Sequence, residues 1–171
     1  MIRNILLSGK PGIGKTTAIK RIVERLDSPK VNGFWSREIR EGGRRVGFLL
    51  ETISGETGIL AHIDFETTQR VGKYGVNVYD IDTIVVPELE KARRSRNVII
   101  IDEIAKMEIC SKRFVQEVRK CLDTKRVIGT IQERRHPFLD EVRFRSDVEL
   151  LEITLKNRDK IPFQVLDMLD T

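Results

Sequence analysis

Gly9-Lys10-Pro11-Gly12-Ile13-Gly14-Lys15-Thr16 decides how the rest of the chain is read. Ahead of it, Ile2-Arg3-Asn4-Ile5-Leu6-Leu7-Ser8 is short and largely apolar, and predicts a buried strand. Behind it, Ile19, Ile22, Val23 and Leu26 recur at helical spacing. The pattern G-x-x-x-x-G-K-T therefore sits between a strand and a helix, the context that separates a phosphate-binding loop from an incidental glycine turn. Gly9, Gly12 and Gly14 open backbone conformations closed to other residues and let an anion come close. Amide groups along the loop turn inward as an anion nest, backed by the positive end of the helix dipole. On this reading every residue from Gly9 to Thr17 belongs to a nucleotide site, Lys10, Pro11, Ile13 and Thr17 included. Lys15 supplies a point charge that reaches the β- and γ-phosphates, and the Thr16 hydroxyl is placed to ligate Mg²⁺.

A second motif complements the first. Asn97-Val98-Ile99-Ile100-Ile101 is a β-branched run without polar alternation, as expected of a strand buried on both faces of a parallel sheet. It ends in Asp102-Glu103, and open α/β sheets bind ligands at the carboxyl ends of their strands. Asp102 suits the acidic contact to Mg²⁺. Glu103 suits the orientation or deprotonation of a water aimed at the γ-phosphorus. Hydrolytic phosphate-loop proteins with such a glutamate place an extra strand between the loop strand and the acidic strand, and Val127-Ile128-Gly129-Thr130-Ile131 is the candidate. Thr130 and Gln132 at its end are candidate γ-phosphate sensors. Arg134 and Arg135 follow, then Arg143 and Arg145, and arginine neutralises charge that develops in phosphoryl transfer. Asn157 and its neighbours Arg158 and Asp159, after the last expected strand, lie where a base or ribose is contacted; helix capping by Asp159 or Asn157 is the competing role.

The remaining segments set the fold. A chain of 171 residues, 40% apolar and 33% charged, has the length and composition of a single globular domain spanning residues 1–171. Asp27-Ser28-Pro29 is expected to stop the first helix. Gly33–Arg40 and Arg44–Thr52 read as strands joined by Glu41-Gly42-Gly43, a hairpin signal that makes them antiparallel, and Gly58–Ile63 extends the meander. Phe65–Gly75 is expected to be loop and Val76–Tyr79 a short strand. Ile81–Arg94 reads as helix, with Pro87 near a start or a kink. Ser111–Leu122 and Pro137–Arg143 are expected helices and Val148–Leu155 a strand. A last helix is capped near Asp159, with Pro162 in its first turn. The expectation is an α/β fold: a mainly parallel sheet flanked by helices, with an antiparallel β-hairpin insertion after the first helix.

Other function classes fit less well. No apolar run reaches membrane-spanning length and no secretory leader precedes the first strand, so a cytoplasmic protein is expected. Cys110 and Cys121 fit a reducing compartment, and His62 and His136 stand outside any zinc-type spacing. The net charge of +5 is matched by an anionic nucleotide substrate. Nucleic acid is disfavoured, because no aromatic stacking platform is evident. No Asn-Lys-x-Asp stretch occurs, which argues against a guanine-specific switch. The sequence leaves the oligomeric state open, and a monomer is compatible with it.

Taken together the motifs resemble the cancer-related nucleoside-triphosphatase family, nearly end to end. Gly9 to Thr17 resembles its phosphate loop. Gly33-Phe34-Trp35-Ser36-Arg37-Glu38 and Gly42-Gly43-Arg44-Arg45-Val46-Gly47-Phe48 resemble its glycine-phenylalanine hairpin. Val71-Gly72-Lys73-Tyr74, Asp102-Glu103-Ile104-Ala105-Lys106-Met107-Glu108 and Asn157-Arg158-Asp159 resemble its further signatures. Ser36 stands in place of threonine and Ala105 in place of glycine; a position requiring positive φ would be altered by alanine. The resemblance implies Mg²⁺-dependent hydrolysis of nucleoside triphosphates to diphosphate and phosphate, with broad base tolerance. The alternative is a small phosphate-loop kinase acting on a nucleoside or other acceptor, with the arginines from Arg134 to Arg145 as a lid.

Overall fold

A computed structural model of the chain describes residues 3–26 and 30–170. Nine strands form one sheet: β1 (Asn4–Ser8), β2 (Val31–Glu41), β3 (Arg44–Thr52), β4 (Thr57–His62), β5 (Arg70–Val71), β6 (Tyr74–Val76), β7 (Val98–Ile104), β8 (Val127–Ile131) and β9 (Val148–Glu152). Their order is β5-β6-β4-β3-β2-β7-β8-β1-β9. The half from β2 to β9 is parallel throughout, and the half from β3 to β5 is antiparallel. The helices are α1 (Lys15–Arg25), α2 (Val78–Asp80), α3 (Val86–Arg94), α4 (Lys112–Asp123), α5 (Pro137–Arg143) and α6 (Ile161–Leu169). The expected α/β architecture and its hairpin insertion are both present, and β8 lies between β1 and β7, as the hydrolytic reading requires.

The sheet is organised by the isoleucines of β7. Ile99, Ile100 and Ile101 are all fully buried, because their strand is covered on both faces. Alternation along the strand sends Ile99 and Ile101 to one side, with Leu6, Phe34, Leu89, Phe114, Val118 and Leu139. Ile100 goes to the other, with Ile5, Leu7, Ile128, and Ile19 and Ile22 of α1 and Val165 of α6. Each such side chain contributes about 1.5–3 kcal/mol by leaving water. Where β2 runs beside β7, Gly33 adopts φ +131°, and a β-carbon there would come within 2.0 Å of the Ile100 carbonyl oxygen. The seam that carries the hairpin onto the parallel sheet therefore requires glycine. At the lower end of β1, buried Asn4 donates to the carbonyls of Leu122 (2.9 Å) and Asp147 (3.3 Å) and accepts from the Val127 amide (3.1 Å).

Several expected boundaries are corrected. Residues 65–75 are not all loop: β5 and β6 make a short hairpin, too brief to leave a periodic signal. Val76–Tyr79 is not a strand. β6 ends at Val76, and the Asn77 side chain accepts from the Asp80 amide at 3.2 Å to start α2. A π-helical turn, Ile81–Val85, follows; α3 continues directly from it and carries Pro87 in its first turn. β9 stops at Glu152, three residues short of expectation, because Asn157 Oδ1 accepts from the Thr154 amide at 2.7 Å and turns the chain. Asp159 does not cap α6. Lys160 stands at that position without a side-chain cap, Pro162 lies in the first turn as expected, and Asp159 pairs with Arg21 at 3.1 Å. α1 ends at Arg25; the expected stop at Asp27-Ser28-Pro29 lies outside the described residues. Both cysteines are free thiols, and burial pushes the Cys121 thiol up to about 12, which keeps it inert.

Candidate active site

The phosphate loop joins β1 to α1 across the carboxyl edge of the sheet. Gly14 stands at the helix N-cap with φ +113°, and no side chain caps α1 and no acid occupies its first turn. The first amides of α1 are therefore left to an anion, whereas α4 has its Phe114 amide taken by Ser111 (3.0 Å) and α5 its Phe138 amide by His136 (3.1 Å). Gly9 is required by contact: a β-carbon there would lie 2.8 Å from the Ile153 carbonyl oxygen just beyond β9. Lys15 Nζ donates to the Gly9 carbonyl at 2.7 Å and lies 3.2 Å from Glu103 Oε2.

Two adjacent residues of a regular strand point to opposite faces. Asp102 and Glu103 nevertheless both face the loop, because the pairing of β7 with β8 shifts between Ile101 and Ile104. Asp102 is buried, accepts from the Thr130 hydroxyl at 2.6 Å through Oδ1, and has no hydrogen-bond partner for Oδ2. Burial holds the Asp102 carboxyl above the usual carboxylate range, against the pull of the Thr130 and Thr16 hydroxyls and the Lys15 charge. Glu103 is raised too, by burial first; Lys15 opposes the rise and Asp102 adds to it. The loop lysine, its following threonine and the acidic couple thus converge on one edge.

That convergence fits the comparisons with known proteins. A family profile described as NTPase matches residues 4–166. The chain belongs to this NTPase family. It is 42% identical over 166 residues to nucleoside-triphosphatase THEP1 of Thermotoga sp. strain RQ2, covering 96% of this chain and 94% of that protein. It is 37% identical over 177 residues to the human cancer-related nucleoside-triphosphatase, covering 94% and 93%. The crystal structure of THEP1 from Aquifex aeolicus superposes with a TM-score of 0.89 at 39% identity, covering 98% of this chain and 99% of that one.

The other residues singled out from the sequence have different surroundings. Thr130 points its hydroxyl at Asp102, so it holds the carboxylate rather than standing open as a sensor. Gln132 Oε1 accepts from the Lys106 amide at 3.1 Å. Arg135 is exposed at 90% and pairs with Asp140 at 3.3 Å, while Arg134 is exposed and joins the network through its carbonyl. Arg143 clamps that segment, donating to the carbonyls of Gln132 (2.7 Å) and Arg134 (2.5 Å) and to Asp140 (2.7 Å). Arg145 pairs with Asp147 and Asp123, both at 2.8 Å. Asn157 donates to the Glu152 carbonyl at 2.9 Å and accepts from Thr154, so its amide builds a turn. Ala105 sits in ordinary backbone: Lys125 is the sole non-glycine residue with positive φ among the described residues, so alanine leaves the turn after Glu103 unstrained.

Sequence reasoning gave Glu108 no role. It lies in a 3₁₀ turn (Glu108–Cys110), is 3% exposed, and its Oε2 has no hydrogen-bond partner. Burial, then the charge of Glu103, lifts its carboxyl well above the usual range, and it stands behind the acidic couple. The signal was an acid set between Met107 and Ile109, apolar on both sides. A cavity of about 520 Å³ lined by Thr67, Asn77, Tyr79, Asp82, Lys112 and Arg113 contains none of the sequence-predicted site residues. No helix among the described residues is long and apolar enough to cross a membrane.

Proposed function

We propose that this chain is a Mg²⁺-dependent nucleoside-triphosphatase that hydrolyses ATP, GTP and related nucleotides to the diphosphate and phosphate. The observation that carries this reading is the 3.2 Å approach of Lys15 Nζ to Glu103 Oε2 at an uncapped helix N-terminus. The names of its relatives, at 37–44% identity, support it.

The loop amides and Lys15 hold the β- and γ-phosphates. Glu103 orients a water on the γ-phosphorus and accepts its proton as the new oxygen–phosphorus bond forms, while the bond from the γ-phosphorus to the β–γ bridging oxygen breaks and that oxygen leaves with the electron pair as part of the diphosphate. Burial makes Glu103 a stronger base than a surface glutamate, and Lys15, drawn onto phosphate, releases it for that role. Thr16 and Asp102 suit a magnesium ion. One hydroxyl and one carboxylate with an unpartnered oxygen match an ion that takes few protein ligands and completes its shell with phosphate and water. Bound there, Mg²⁺ would neutralise charge on the β- and γ-oxygens.

An arginine lid for phosphotransfer finds little support, since Arg143 and Arg145 are committed to structural pairs. The cytoplasm is the compartment this reading implies, and a monomer suffices for it. The test is phosphate release from the four ribonucleotides, with and without Mg²⁺, by the native chain and by Glu103→Gln. The variant should bind nucleotide normally and lose turnover by about 10²–10⁴-fold. Retained turnover would end the role of Glu103, and phosphate appearing only with an added acceptor would favour a kinase.

A further inference from the structure

Arg158 follows the turn-building Asn157 just beyond β9, and its Cδ lies 3.9 Å from where a side chain on Gly14 would begin. Its guanidinium is exposed and has no hydrogen-bond or ion-pair partner among the described residues. Its neighbours are committed. Asn157 spends its amide on Thr154 and Glu152, and Asp159 pairs with Arg21. Lys15 is held between Gly9 and Glu103.

The strand order gives this placement a direction. Glu103 belongs to β7, on one flank of β1, and Arg158 follows β9, on the other flank. Glu103 and Lys15 mark the end of the loop where the γ-phosphate reacts. A triphosphate laid along the loop from that end carries its nucleoside toward β9, onto Arg158. The inference rests on the phosphate-loop reading above. We propose that Arg158 lays its guanidinium plane against the face of the nucleobase and is the principal protein contact to that end of the substrate. A planar cation stacks on any base, because every base offers a π-face. The turn offers no free amide to read a base edge, since that of Asn157 is used, and Leu155, two residues before Asn157, is an exposed apolar residue (71%). Face contact without edge contact makes the nucleoside end of the site indifferent to base identity.

The test compares the native chain with Arg158→Ala on ATP, GTP, CTP and UTP. Two base-free probes are used as competing inhibitors, inorganic tripolyphosphate and ribose 5′-triphosphate. The variant should raise KM about tenfold for all four nucleotides and leave kcat within about twofold. Inhibition by both base-free probes should not change, and the melting temperature should match the native chain. Equal weakening of the base-free probes would overturn the proposal, since Arg158 would then hold phosphate or prop the loop. An unchanged KM, or a rise confined to one base, would overturn it as well. Lys15→Ala run alongside tests the parent reading separately: it should weaken every ligand, tripolyphosphate included, and if it does not, the phosphate-loop assignment fails rather than the stacking role.

Discussion

Replacing Thr130 by valine removes one hydroxyl from the centre of the site and changes little else. Thr130 is fully buried in β8, and valine keeps its branched shape and its preference for strand. What disappears is the 2.6 Å donation to Asp102 Oδ1, and Oδ2 already lacks a partner. The buried carboxylate is left with Thr16 and the charge of Lys15. A hydrogen bond to a charged group contributes about 1.5–3 kcal/mol. In a chain of this size that loss should lower the melting temperature by roughly 3–12 °C near neutral pH.

The pH dependence of this loss has a definite sign. Burial already lifts the Asp102 carboxyl, and removing a donor to the ionised form lifts it further. A carboxyl raised in the folded state binds more protons there than in the unfolded chain, so stability falls as pH rises from the unfolded value through the folded one. The deficit of Thr130→Val should therefore be full above the raised Asp102 value and fade toward pH 4. With Asp102 in the Mg²⁺ role proposed above, the same change should raise the Mg²⁺ concentration for half-maximal turnover by about 10–100-fold, because that carboxyl would have to lose a proton and has lost its orientation. Thermal denaturation at several pH values and turnover against Mg²⁺ read both effects. An unchanged melting temperature with a superimposable Mg²⁺ curve would refute the reasoning. A fall in kcat at an unchanged Mg²⁺ midpoint would instead put Thr130 on the γ-phosphate.

Two further perturbations test the frame and the buried acid. Gly33→Ala drives a β-carbon to 2.0 Å from the Ile100 carbonyl oxygen and should cost more than about 4 kcal/mol, read as loss of soluble protein or a steep fall in melting temperature. Gly42→Ala at φ +55° in the hairpin turn meets nothing within 4 Å and should cost only about 1 kcal/mol; equal costs would show that backbone strain, not the seam, governs both. Glu108→Gln removes a carboxyl that burial holds well above its usual range. Because such a group penalises the folded state above pH 4.5, the variant should melt higher than the native chain at pH 8, by about 1.4 kcal/mol for each pH unit of displacement, and match it at pH 4. Melting curves at the two pH values decide, and a lower melting temperature at pH 8 would show that the ionised acid is stabilising.

The parallel half of the sheet was legible because its signals are long or obligatory. Ile99-Ile100-Ile101 has only one comfortable place, at the centre of a sheet covered twice, and Glu41-Gly42-Gly43 leaves little choice but a hairpin. β5 and β6 were not legible, because strands of two and three residues show no alternation. The π-helical turn was half legible. Pro87 announced an irregularity, but which turn of the helix would widen depends on how Ile81 and Val85 seat in the core.

Within the site, residue type told which groups were able to touch a nucleotide and not which were left free to do so. Thr16 and Thr130 carry the same hydroxyl. Thr16 lies in the first turn of a helix whose N-terminus has no side-chain cap, while Thr130 is fully buried one strand over, its hydroxyl donating to Asp102 at 2.6 Å. Asn157 and Arg158 are neighbours, and the sequence favoured the asparagine as the nucleotide contact. The amide is short enough to close its own turn and does so at 2.7 and 2.9 Å, while the longer Arg158 side chain runs past that turn, its Cδ 3.9 Å from where a side chain on Gly14 would begin. Short polar side chains at a strand end compete with the ligand by bonding their own backbone. A long cation beside them, with no acid in range, keeps its bonding capacity for whatever the loop binds. At this edge of the sheet the local hydrogen bonds decide which groups stay open to a ligand, and among the described residues the Arg158 guanidinium and Asp102 Oδ2 are two that none of those bonds takes up.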